Sequence, residues 1–197
     1  MTTSTITTRW RTVDIVVASV IAVAFGVIFW AWNVVWSATE GAFAFFPPAQ
    51  AAIYGIWLVP GVLGGLVIRK PGAALYCEFV AAVVSVLLGS QWGTIAIIQG
   101  LAQGVAAEAA FAAVRYRSFR LPVAVGSGLL AGLAAAVFDQ IRYYSEFDVA
   151  SFRVPVFLIT VLSSAVVAGA GGWALTRSLA QTGVLDRFPA GRERTAV

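Results

Sequence analysis

Apolar residues dominate six stretches of the chain, 12–35, 50–68, 73–88, 92–114, 121–143 and 154–179. A helix rising about 1.5 Å per residue needs about 20 mainly apolar residues to cross the hydrocarbon core of a bilayer. The third stretch is shorter, and Gly89 marks its end. Turn or charge clusters separate the others: Arg69-Lys70-Pro71-Gly72 closes the second, and the basic segment 115–122 divides the fourth from the fifth. The pattern predicts an all-α membrane protein, a bundle of six transmembrane helices over residues 12–179. Residues 1–11 and 180–197 are expected to form N- and C-terminal tails.

The charges test the span count. With the N-terminus inside, Arg9, Arg11, Arg69, Lys70, Arg115, Arg117, Arg120, Arg177, Arg187, Arg192 and Arg194 are all cytoplasmic, and only Arg142 and Arg153 lie outside. Basic residues concentrate on cytoplasmic loops, so the count predicts both termini in the cytoplasm of a multi-pass plasma-membrane protein. A miscounted span would scramble this alternation. The halves 1–88 and 89–197 show no convincing internal repeat.

Composition agrees with the pattern and narrows the chemistry. Of 197 residues, 60% are hydrophobic and 11% charged, where a soluble domain carries about a quarter charged. Length leaves no room for a built-in ATPase, and no Walker motif is present. The net charge of +4 sits at the ends of apolar segments and does not argue for nucleic acid. Cys77 is the one cysteine, so no intrachain disulfide is possible, and the absence of histidine removes the commonest metal ligand and general base. No cofactor, metal or cleavable signal peptide is expected.

The polar residues are unevenly distributed with depth. The predicted outer ends gather Phe29, Trp30, Trp32, Asn33, Trp36, Glu40, Gln50, Tyr54, Trp57, Ser90, Gln91, Trp92, Asp139, Tyr143 and Tyr144. An interfacial aromatic belt accounts for single rings, but belts occur at both interfaces, and here every tryptophan except Trp10 and Trp173 is in the outer half. The alternative is an outward-facing pocket of flat rings and a few acids. Inside the fourth span, Gln99 and Gln103 share a helix face, beside a stripe of Gly100, Gly104 and Glu108. Polar groups at membrane depth either line a site or bond between helices, and both readings stand for this pair. Glu78 and Glu108 lie nearer the cytoplasmic side, with structural and ligand or coupling roles both open. Asp139 either faces the pocket or pairs with Arg142. Ala18, Ala22 and Gly26 form a small-residue ridge on the first span, for helix packing or for a partner subunit.

These segments together carry a resemblance. Arg69-Lys70-Pro71-Gly72 followed by Glu78, Gly89-Ser90-Gln91-Trp92-Gly93, and Gln99-Gly100 with Gln103-Gly104 and Glu108 resemble the YkoE family, as do Arg11-Thr12-Val13-Asp14-Ile15 and Gly26-Val27-Ile28-Phe29-Trp30. YkoE proteins are substrate-binding S components of energy-coupling-factor (ECF) vitamin transporters of the ABC type. The resemblance spans residues 9–185. It implies a six-helix subunit, not an enzyme, that binds thiamin or its hydroxymethylpyrimidine moiety from outside. It further implies delivery through a transmembrane T subunit driven by two ATPase subunits, with Ala18 and Ala22, extended by Gly26, as the docking ridge.

The substrate-site expectation is built from depth and chemistry: Trp32, Asn33, Trp36, Glu40, Tyr54, Trp57, Trp92, Gln99, Gln103, Glu108, Asp139 and Tyr143. Rings would stack thiamin, an acid would balance its cation, and a glutamine would pair with the aminopyrimidine edge. Two other classes compete. A stand-alone ion-coupled carrier or channel would use Glu78 and Glu108 as proton relays. An intramembrane enzyme would have those same two acids as its one testable pair.

Overall fold

The computed structural model describes residues 9–192. Its first helix, α1 (Thr12–Thr39), starts where Asp14 accepts the Arg11 backbone N–H at 2.7 Å and the Arg11 guanidinium at 2.8 Å. Asp14 is fully buried because Lys70 also donates to it, while the Lys70 ammonium bonds the Arg9 carbonyl at 2.7 Å. Trp10 Nε1 donates to the Pro71 carbonyl at 2.9 Å. The start of α1 is thus clamped to the turn that follows the second span.

After a 3-10 turn (Glu40–Phe43), a 3-10 segment (Pro47–Leu58) runs directly into α2 (Val59–Ile68). Every residue of α2 is buried, as expected for a helix apolar on all sides. It is the central post of the bundle. α2 ends where Arg69 adopts φ 56°, and α3 (Ala73–Leu87) begins after Gly72 at φ 86°. α4 (Ile95–Ala113), α5 (Leu121–Arg142) and a final composite helix complete the set. The composite contains a π-helical turn (Val149–Arg153), α6 (Val154–Ser163), a π-helical stretch (Ser164–Gly171) and α7 (Gly172–Gln181).

Around the post, α1 packs on α3, α3 on α4, α4 on α5, and α5 on the composite helix. The last contact is backbone to backbone: a Cβ on Gly128 would lie 2.5 Å from the Ser164 carbonyl oxygen and 2.7 Å from the Gly169 nitrogen. Five helical stretches are long and apolar enough to cross a membrane, Thr12–Phe43, Pro47–Ile68, Ile95–Ala113, Leu121–Arg142 and Val149–Gln181. Ala73–Leu87 is apolar but shorter. The segment expected as a C-terminal tail does not stand apart from the bundle. Leu185, Phe188 and Ala190, the last in a short helix α8 (Pro189–Arg192), are buried in the same core as α2.

Candidate functional site

One end of the bundle encloses a cavity of about 300 Å³. Its walls come from the end of α1, the 3-10 segment before α2, the α3–α4 turn, α4, the end of α5 and the start of the composite helix. Aromatic rings form a continuous arc. Trp57 packs against Trp36 at 5.0 Å and Tyr54 at 5.3 Å between centroids. Trp92 bridges Trp57 at 6.3 Å and Tyr143 at 5.7 Å. Tyr144 and Phe152, 5.3 Å apart, extend the arc. Tilted and edge-to-face contacts leave ring faces available to a ligand.

Polar groups fix this arc. Trp92 Nε1 donates to Asn33 Oδ1 at 3.0 Å, while Asn33 Nδ2 donates to Ser90 Oγ at 3.0 Å. Gln50 Nε2 donates to the Trp36 carbonyl at 2.7 Å. Deeper in, the Gln99 amide nitrogen donates to Tyr54 Oη and to Asp139 Oδ1, both at 2.8 Å. Asp139 is 4% exposed, and no Arg142 ion pair forms with it. Gln103, buried on the cavity wall, makes no hydrogen bond to a described side chain or backbone group. The hydroxyls of Tyr143 and Thr160 are buried at the same cavity without a partner. Buried polar groups are normally paired, and these two hydroxyls share their unpaired state with Glu78 Oε1, which lies away from the cavity. Among the described residues, Glu40 and Asp139 are the charged groups on the lining, and no lysine or arginine joins them.

Ten of the residues expected at the site therefore line one cavity: Asn33, Trp36, Glu40, Tyr54, Trp57, Trp92, Gln99, Gln103, Asp139 and Tyr143. Two do not. Trp32 turns its Nε1 to the Ile53 carbonyl at 3.0 Å and ties α1 to the 3-10 segment. Glu108 faces the start of α3, where its carboxylate accepts from the backbone N–H groups of Gly72 and Ala74 at 2.8 Å and of Leu75 at 3.2 Å. The Tyr116 hydroxyl donates to it as well, at 2.8 Å. Burial and the neighbouring carboxylate raise the Tyr116 hydroxyl above its ordinary pKa, so it remains a donor. Helix starts expose unpaired N–H groups and a positive dipole end, which is what Glu108 satisfies. Glu78 also lies off the cavity, with Oε2 accepting from the Gly61 N–H at 2.8 Å.

The expected docking ridge has a partner inside the chain. Ala18 and Ala22 are fully buried, Cys77 Sγ donates to the Ala18 carbonyl at 3.5 Å, and a Cβ on Gly26 would meet Val84 at 2.5 Å. The ridge is where α1 lies on α3. The outward face of α1 is instead apolar, with Val16, Val20 and Val34 more than half exposed.

Sequence reasoning did not select Thr160, Val156 and Phe152 of the composite helix, or Ala82 and Ser85 of α3, as lining. Thr160 had a signal: it is the one polar residue between Val154 and Leu162. The small residues of α3 had none, since they form wall by position alone.

Comparison with known proteins places this architecture. The family described as ABC-type cobalt transport system, permease component, matches residues 13–134. Protein YkoE of Bacillus subtilis (strain 168), whose name proposes an HMP/thiamine permease, is 36% identical over 185 residues, covering 93% of this chain and 92% of its own. A crystal structure of an S-component of an ECF transporter superposes with a TM-score of 0.89 at 35% identity, covering 95% of this chain and 94% of that one. With its membrane-length apolar helices, this chain is a multi-pass cell-membrane protein and belongs to the YkoE family of ECF-transporter S components.

Proposed function

We propose that this S component binds thiamin or its hydroxymethylpyrimidine moiety in the aromatic cavity, from the outer face of the membrane. The observation that carries the reading is a cavity walled by Trp36, Trp57 and Trp92 whose charged lining groups are acids. Ring faces and carboxylates favour a flat cation. The Gln99 amide, held by Tyr54 and Asp139, and the unpaired Gln103 amide supply donors and acceptors for an aminopyrimidine edge. Asn33 acts by holding Trp92. The relative's name supports the same choice of ligand.

The reading extends to topology and partners. Six spans, with α3 as the short one, put both termini in the cytoplasm, and the membrane domain covers residues 12–179. The subunit does no chemistry. It hands substrate inward through a transmembrane T subunit whose two ATPase partners supply the energy. Cobalt, named in the description of the matching family, does not suit this donor set: the chain has no histidine, and Cys77 is not on the cavity.

Titration of purified protein with thiamin, hydroxymethylpyrimidine and cobalt, followed by tryptophan fluorescence, tests the reading. Micromolar or tighter binding of the organic ligands is expected, weakened about tenfold or more by Trp57→Ala, Gln99→Ala, Asp139→Asn and Thr160→Val in folded protein, since an unmet buried bond costs about 1–3 kcal/mol. Unaltered binding in all four variants overturns the placement. Ion-driven uptake by the subunit alone overturns the S-component mechanism in favour of a carrier.

A further inference from the structure

We infer that a second cavity, at the opposite end of the bundle, is a binding site for a phosphate group such as an anionic lipid headgroup presents. Three elements that span the bundle place it there. Arg69 caps the C-terminal end of α2, whose preceding segment carries Tyr54 and Trp57. Arg120 caps the start of α5, whose far end carries Asp139. Arg177 lies near the end of α7, in the same composite helix that begins with Phe152 and Thr160. The cavity measures about 400 Å³ and joins the three arginines to Trp173, Phe119 and a floor at Leu66.

Two of the three guanidiniums lie over aromatic rings. Arg69 lies over the Phe119 ring and Arg177 over the Trp173 ring, each 4.7 Å from the centroid, and Arg69 Nε donates to the Leu66 carbonyl at 3.1 Å. Among the described residues, Arg120 and Arg177 have no acidic partner. Arg120 and Arg177, two guanidiniums on one concavity with no acid between them, repel each other unless an anion joins them, and guanidiniums match phosphate oxygens in fork geometry. The α5 N-terminus adds positive dipole at Arg120. Exposed Leu121 and Leu175, at the same helix ends, give an acyl chain an apolar surface beside the charges. Basic pockets between helices at the membrane surface are suited to anionic headgroups. The first cavity, with acids and no base on its lining, cannot serve this ligand.

Native mass spectrometry of the full-length protein, exchanged into micelles containing phosphatidylglycerol or phosphatidylcholine, tests the site. Retention of phosphatidylglycerol over phosphatidylcholine is expected, falling at least tenfold in an Arg120→Gln/Arg177→Gln double variant and little in an Arg115→Gln/Arg117→Gln control on the same face. Competition by inorganic phosphate would show that the phosphate itself is read, and its failure to compete would assign the site to lipid. Substrate titration of each variant reports that it is folded. Equal retention of the two lipids, or equal loss in both double variants, overturns the proposal.

Discussion

Glu108 shows how a polar residue in a membrane helix divides between site and scaffold. The sequence sets it in the same apolar run as Gln99 and Gln103, on the neighbouring glycine stripe, with structural and ligand or coupling roles both open. The structure gives its carboxylate to the N–H groups of Gly72, Ala74 and Leu75 at the start of α3. Charge-assisted bonds of this kind contribute about 2 kcal/mol, and losing them leaves donors unmet. Glu108→Ala is therefore expected to lower the thermal midpoint by several degrees while leaving substrate affinity within about twofold. Glu108→Gln, which keeps an acceptor, should fall between the two. A Glu108→Ala protein with wild-type stability and lost affinity would return this residue to the substrate site. Gln99, one element face away, differs because its partners Tyr54 and Asp139 are themselves on the cavity.

At the scale of elements, the small-residue ridge of α1 is the informative case. Four-residue spacing of Ala18, Ala22 and Gly26 was legible in the sequence, but spacing alone does not say which helix lies on it. Here it is α3, at a distance that leaves no room for a side chain at Gly26: a Cβ would sit 3.0 Å from the Ala81 carbonyl oxygen as well as against Val84. Overpacking at such a contact costs about 1–3 kcal/mol. Gly26→Val should destabilise the isolated subunit, read as an earlier thermal midpoint on size-exclusion chromatography after heating. If the variant is as stable as wild type alone and fails only with its transporter partners, the ridge serves docking and not α3. The composite last helix was predicted as one span, and it is one stretch, but its π-helical turns at Val149–Arg153 and Ser164–Gly171 were not visible in the apolar pattern. The second lies where Gly128 and Gly169 bring two backbones together, a long-range contact that local periodicity does not encode.

For the whole molecule, orientation in the membrane is the property to test. The aromatic cavity and the arginine cavity lie at opposite ends of the same helices, and the positive-inside rule predicts a cytoplasmic arginine end. Ser145 lies at the cavity end, after α5, and Thr182 at the other end, after α7. In intact cells a membrane-impermeant maleimide should label Ser145→Cys and leave Thr182→Cys unlabelled until the membrane is opened. Buried Cys77 gives little background. Labelling of Thr182→Cys from outside would invert the topology and, with it, the direction from which substrate enters.

The sequence by itself determined the helical membrane class, the long apolar helical stretches, the family and the aromatic character of one end. Those follow from apolar runs, turn clusters and residue combinations, which are local along the chain. Only the tertiary structure decided that ten expected residues surround one cavity, that Glu108 caps α3, that the α1 ridge faces inward and that Leu185 and Phe188 join the core. Each of these depends on which helix meets which, and that is set by close packing between segments tens of residues apart.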